Sequence, residues 1–119
     1  MMLRAKNDGC QLKIYAEYNG VTVGTVEIQI SLDEAYIHDV FVSDKVRRQG
    51  IARQMLCELE RQLPAQTERI ILDVRVGNIP AIELYKSQGF KEIVRRKGFY
   101  YEPCEDGITM EKIVIHGRY

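Results

Sequence analysis

Val40-Phe41-Val42-Ser43-Asp44-Lys45-Val46-Arg47-Arg48-Gln49-Gly50-Ile51-Ala52 is the stretch on which the fold turns. Its opening residues close a β-branched and aromatic run that begins at Ala35 and includes Tyr36, Ile37 and Val40, the composition of a strand. Then the period changes. From Gly50 onward apolar residues fall at Ile51, Met55, Leu56, Leu59 and Leu63, the spacing of an amphipathic helix, and Pro64 ends it. A strand thus passes through a short basic turn into a helix.

That junction has chemical potential. A helix start exposes unpaired backbone N–H groups and the positive end of the helix dipole, an arrangement that binds phosphate oxygens. Gly50 lets a ligand approach the backbone closely, and Arg47, Arg48 and Arg53 add positive charge. A solvated basic turn, with Gly50 serving geometry alone, accounts for the same residues without a ligand.

Upstream, Leu12 to Tyr18 alternates as a strand, Asn19-Gly20 is a hairpin signal, and Val21 to Ile30 is its β-branched partner. Leu32-Asp33-Glu34 turns into the third strand, Ala35 to Val42. Met1 to Gly9 carries Arg4, Lys6 and Asp8 and lacks the apolar centre of a signal peptide. Downstream, Ile70 to Val76 reads as a strand. Asn78 caps a second helix with Pro80 in its first turn, Ala81, Ile82, Leu84 and Tyr85 on its apolar side, and Gly89 as its stop. Phe90 to Val94 and Ile108 to Ile115 close the chain as strands, with Arg95 to Gly107 as the loop between them. A meander feeding a strand-helix-strand unit implies an α/β (α+β) domain, a mixed and mainly antiparallel twisted sheet with helices packed on it.

Composition narrows the classes. The 119 residues suit one domain, residues 1–119, and 45% apolar with 29% charged residues is the balance of a soluble globular protein. Seventeen basic residues offset seventeen acidic ones, so no global charge draws the chain to nucleic acid or to an anionic membrane. No apolar run is long enough to span a bilayer. The three cysteines, Cys10, Cys57 and Cys104, are scattered and odd in number, which fits neither a disulfide framework nor a metal site. Cys57 is expected in the core, and a reducing cytoplasm is the expected compartment.

Two segments carry a resemblance. Arg47-Arg48-Gln49-Gly50-Ile51-Ala52 resembles the acyl-coenzyme A signature of the GNAT acetyltransferase superfamily: Gln or Arg, two residues, Gly, one residue, then Gly or Ala. The run from Asn78 through Ala81-Ile82 and Leu84-Tyr85 to Gly89-Phe90 resembles a second motif of that family, in the right order. The resemblance implies the acyl-CoA N-acyltransferase fold, no metal, and acetyl transfer from acetyl-CoA to a primary amine by direct attack through a tetrahedral intermediate. It implies that Val40, Phe41, Val42, Arg47, Arg48, Gln49, Gly50, Ile51, Ala52, Arg53, Asn78 and Tyr85 bind the coenzyme. In the family, backbone N–H groups of the loop hold its pyrophosphate, and main-chain groups of the preceding strand face the pantetheine arm and acetyl carbonyl. Tyr85 would donate a proton to the departing sulfur, help typically worth about 10²- to 10⁴-fold, and an N–H near Val42 would hold the oxyanion. Packing of Tyr85 as a core aromatic is the plain reading of the same residue.

Leu72-Asp73-Val74-Arg75, then Arg95-Arg96, Tyr100-Tyr101, Glu105-Asp106 and Met110, are similar to the ribosomal-protein-alanine N-acetyltransferases. That likeness implies a protein N-terminal α-amine as acceptor; a small amine is the alternative. It puts the general base at Asp73, where the family carries the longer glutamate. An α-amine has a pKa near 7.7–8 against about 10.4 for lysine, so at pH 7 roughly a tenth of it is neutral and a modest base suffices. Asp39 and His38 are the other base candidates, and strand alternation is expected to send them to opposite faces. His38 as a half-buried structural histidine, and Asp73 as an ion-pair partner of Arg75, are the non-catalytic readings. Asp39, Tyr100 and Tyr101 are the expected acceptor contacts, the two tyrosines forming a wall or simply packing their loop. The family usually begins with a further strand and one or two helices before the first hairpin. Their lack here implies an enzyme with an open groove, a site completed by a partner or a second copy in a homodimer, or an acyl-CoA-binding module without turnover.

Overall fold

The computed structural model describes residues 1–114. Its elements are β1 (Met2–Asn7), β2 (Gln11–Tyr18), β3 (Val21–Ser31), β4 (Glu34–Val42), α1 (Ile51–Gln62), β5 (Arg69–Arg75), α2 (Ile79–Ser87), β6 (Lys91–Tyr100) and β7 (Glu105–Ile113), with a 3-10 turn at Asp44–Val46. The strands form one sheet in the order β1-β2-β3-β4-β5-β7-β6. Only β4 and β5 run parallel, and α1 makes the crossover between them.

Alternation along the strands builds the core. Leu12, Ile14 and Ala16, then Val26, Ile28 and Ile30, then Ile70, Leu72 and Val74 are buried. Facing them, α1 contributes Ile51, Met55 and Leu59 at a four-residue spacing together with Leu56. Met55 is fully enclosed, and burial of one such side chain is worth about 1.5–3 kcal/mol. The two helices share one face of the sheet, for Arg53 donates to the Ser87 hydroxyl at 3.3 Å and Cys57 Sγ lies 3.8 Å from Gln88 Oε1.

Several expectations are corrected here. The segment before Asp8 is a strand, paired with β2 from Met2↔Glu17 to Asn7↔Leu12. Asp8 Oδ1 accepts from the N–H groups of Cys10 and Gln11, and Gly9 at φ +96° completes a tight hairpin. This outer strand is largely exposed and shows no apolar alternation, so its sequence hides it. Similarly, most of the supposed Arg95–Gly107 loop is ladder: β6 runs on to Tyr100 and β7 starts at Glu105. Register shifts at Glu92/Val94 and Arg96/Tyr100 break the period of this exposed, basic edge strand. Ile115, assigned to the last strand from the sequence, lies outside the described residues. Cys57 is exposed, because it sits about 200° around the helix from Met55.

One feature of the sheet positions the site. The parallel ladder between β4 and β5 holds only from Glu34↔Arg69 to Ile37↔Leu72. Beyond it the strands part. On the β3 side β4 stays paired through Asp39↔Glu27, Val40↔Val26 and Val42↔Gly24, so backbone groups along its other edge face an open slot.

Candidate active site

A groove of about 430 Å³ lies where the open edge of β4 meets the starts of α1 and α2. Of the residues expected to bind coenzyme, it brings together Val40, Val42, Arg47, Arg48, Gly50, Ile51, Ala52, Arg53, Asn78 and Tyr85. Gly50 caps α1 at φ +74° and ψ +17°, a left-handed conformation that favours glycine. Arg48 is also left-handed, at φ +67°. The first helical bond of α1 is Gln54 N–H to Gly50 O at 3.0 Å. The N–H groups of Ile51, Ala52 and Arg53 therefore have no intrahelical acceptor and open on the groove with the positive end of the dipole. Arg47 Nε donates to Val42 O at 3.2 Å, tying the loop to the end of β4. These features suit a pyrophosphate: free N–H donors, three arginines and a backbone that a Cβ does not shield.

Two expected coenzyme residues are not on this surface. Phe41 alternates away from Val40 and Val42 and is exposed, and the Gln49 side chain accepts from the Tyr18 hydroxyl at 3.3 Å. Conversely, Val46, Pro80, Ala81 and Leu84 line the groove without having been expected as coenzyme contacts. The helical spacing of Ala81, Leu84 and Tyr85 was the signal that could have found two of them. Arg53 also borders a larger, open hollow of about 610 Å³ beside Cys57, Glu60 and Lys112, where Glu60 and Lys112 pair with each other.

The slot between β4 and β5 is smaller, about 190 Å³, and polar. Asp39, Asp73 and Tyr100 line it, with His38, Arg75, Asn78 and Tyr85. Val40, Asn78 and Tyr85 belong to both cavities, so Tyr85 stands where the groove opens into the slot. Tyr101, by contrast, is 82% exposed and is not part of this lining.

His38 and Asp39 both line the slot, contrary to strict alternation. The reason is a β-bulge: Glu27 pairs with Asp39 and Ile28 with Ile37, leaving His38 as an extra residue. Nor is His38 half-buried. It is exposed, 2.9 Å from Gln29 Oε1 through Nε2, with its ring edge-on to Tyr36.

Asp73 is partnered differently from expectation. The Tyr36 hydroxyl donates to its Oδ2 and the Thr109 hydroxyl to its Oδ1. Arg96 Nε donates to Thr109 Oγ1 at 2.9 Å and lies 3.9 Å from Asp73 Oδ1. Arg75, its supposed ion-pair partner, turns to Glu105 at 3.2 Å. Arg75 also donates to the carbonyls of Pro103 and Tyr101 and lies 4.5 Å from the Tyr100 ring centroid. Glu105 in turn accepts from Gly77 N–H at 2.7 Å. This clamp joins the end of β5, the start of α2 and the tip of the β6–β7 hairpin. Tyr36, Thr109, Arg96 and Glu105 carry no local sequence signal for these roles, because each depends on strands brought together from far apart in the chain.

The phenols of the site are held protonated. Burial pushes Tyr85 up to about 12, with the negative charge of Asp39 adding to it. Burial is also the leading cause for Tyr36 and Tyr100, both raised, followed by the hydrogen bond to Asp73 for Tyr36 and the charge of Asp73 for Tyr100. The described residues hold no group of three or more His, Cys, Asp or Glu placed to bind a metal ion, and no helix long and apolar enough to cross a membrane.

Similarity to known proteins agrees with this geometry. The [ribosomal protein bS18]-alanine N-acetyltransferase of Escherichia coli K12 is 34% identical over 105 residues, spanning 87% of this chain and 70% of that protein. The crystal structure of the ribosomal-protein-S18-alanine N-acetyltransferase from Escherichia coli superposes with a TM-score of 0.84 at 30% identity, covering 94% of this chain and 75% of that one. A GNAT family acetyltransferase from Elizabethkingia anophelis, solved with acetyl-CoA bound, shares the fold with a TM-score of 0.82 at 16% identity, over 94% of this chain and 97% of the other. The family model described as Acetyltransferase (GNAT) family matches residues 2–90, and the chain belongs to that family.

Proposed function

We propose that this N-acetyltransferase moves the acetyl group of acetyl-CoA onto the α-amine of a protein N-terminus, with Tyr85 as general acid and Asp73 as general base. The observation that carries the reading is the meeting of the two cavities at Tyr85. One cavity offers phosphate-binding groups, the other carboxylates suited to an amine.

The coenzyme supplies the thioester to be attacked; the remaining work belongs to the chain. N–H groups at Gly50 to Arg53 and the arginines around them hold the diphosphate. Backbone groups on the free edge of Val40 to Val42 orient the acyl arm and stabilise charge developing on the carbonyl oxygen. In the slot, Asp39 and Asp73 attract a cationic amine, and Asp73 accepts the proton that the amine loses. At the junction the Tyr85 hydroxyl holds the proton that the leaving sulfur requires. With its pKa near 12 it is protonated at any working pH and is a donor rather than a base.

Two facts favour an α-amine. Its low pKa leaves an appreciable neutral fraction at pH 7, so a single aspartate is sufficient. The 34% identical relative is also named as a [ribosomal protein bS18]-alanine N-acetyltransferase.

The test is acetyl transfer from labelled acetyl-CoA to peptides with free N-termini, to lysine peptides with blocked N-termini, and to small amines. Selective labelling of free N-termini is expected. Preferential labelling of lysine or of small amines would refute the acceptor class.

A further inference from the structure

Aspartate is shorter by a methylene than glutamate, so the Asp73 carboxylate has little reach and depends on being aimed. Three elements flank it. In the antiparallel ladder Thr109 lies directly opposite Asp73, on the same face and within side-chain reach. In the parallel ladder Tyr36 pairs with Ile71, two residues earlier on the same face as Asp73, and the length of tyrosine carries its hydroxyl to the carboxylate. From β6, Arg96 donates to the Thr109 oxygen, which leaves the threonine proton for Asp73. One donor therefore holds each carboxylate oxygen. Each oxygen keeps a second lone-pair site for an amine or a bridging water.

From this arrangement we infer that Tyr36 and Thr109 are positioning residues for the general base, fixing the plane and direction of the Asp73 carboxylate toward the slot. The inference rests on the assignment of Asp73 as base. Tyr36 is suited to the task because burial and the neighbouring carboxylate keep its phenol protonated, so it donates and does not compete for the proton of the amine. Its ring is braced edge-on by His38 at 5.0 Å between centroids. Thr109 is 4% exposed, which protects its hydrogen bonds from water. Other charged or titratable groups of the slot are Asp39, Arg75, Tyr85 and Tyr100. Neither Tyr36 nor Thr109 belongs to a motif read from the sequence.

A double-mutant cycle on the intact enzyme tests this, since it separates action through Asp73 from independent effects. Tyr36→Phe keeps the ring and removes the donor. It should lower kcat roughly 10- to 100-fold, the scale of a misplaced catalytic group, with KM for acetyl-CoA unchanged. In an Asp73→Asn background the same change should cost little more. Thr109→Val should behave like Tyr36→Phe, and Thr109→Ser, which keeps the hydroxyl, should restore activity; circular dichroism of each variant confirms folding. An impaired Asp73→Asn enzyme beside a fully active Tyr36→Phe would overturn this inference alone, as would equal losses from Tyr36→Phe in both backgrounds. Wild-type kcat in Asp73→Asn would overturn the base assignment and this inference with it.

Discussion

Replacing Tyr85 with Phe separates the phenol's chemistry from its packing. The side chain is 8% exposed, its ring lies against Phe90 at 5.8 Å between centroids, and among the described residues its hydroxyl makes no hydrogen bond. Phenylalanine keeps the ring, so stability near pH 8 should change by no more than about 1 kcal/mol. The alkaline range should differ. The native phenol is raised to about 12 against an ordinary value of 10.0, so the unfolded chain releases this proton first as pH rises. The stabilisation from the protonated phenol is complete below pH 10 and disappears between pH 10 and 12. At 1.36 kcal/mol per pKa unit, a shift of two units amounts to about 2.7 kcal/mol, of which about 1.4 is lost by pH 11. Tyr85→Phe lacks this term, so it should gain on the wild type by about 1.4 kcal/mol between pH 8 and 11 in urea unfolding. The difference between the two proteins cancels titration of Tyr36, Tyr100 and the lysines. At pH 8, turnover of the variant should fall by about 10²- to 10⁴-fold, about 2.7–5.4 kcal/mol of transition-state stabilisation, with acetyl-CoA binding intact. Parallel stability curves would refute the buried phenol, and undiminished turnover would remove Tyr85 as the acid.

Gly50→Glu should cost about 1–2 kcal/mol of stability through its left-handed conformation and abolish the rise in melting temperature that acetyl-CoA gives the wild type. A preserved thermal shift would place the diphosphate elsewhere. Asn78→Ala removes the side chain that accepts from Ala81 N–H at the start of α2 and should lose about 1 kcal/mol in urea unfolding; no loss would show that cap to be idle. Arg75→Ala frees the hairpin tip at Tyr101 and Pro103, so KM for the acceptor should rise while binding of acetyl-CoA, measured by calorimetry, stays the same. An equal loss of coenzyme affinity would mean that the clamp serves the groove instead.

The sequence alone determined the elements that have a strong local pattern. Apolar spacing from Ile51 to Leu63 marked α1, Asn19-Gly20 marked a hairpin, and Asn78 and Gly89 bracketed α2, because helical period, turn conformation and capping are settled among near neighbours. The loop around Gly50 was legible too, from the change of apolar period and the glycine where the helix starts, whereas the left-handed turn of Gly50 came only with the structure. The strand β1 was not legible and β6 only at its start, up to Val94, since outer strands with little to bury have no alternation to show. What only the tertiary structure decided was the slot. It arises because β4 and β5 pair for four residues and then diverge, and because a bulge at His38 turns both His38 and Asp39 toward it. The partners of Asp73 were hidden likewise. Tyr36 and Thr109 stand 37 and 36 residues away and meet it through strand register, a property of the whole sheet rather than of any stretch of the chain.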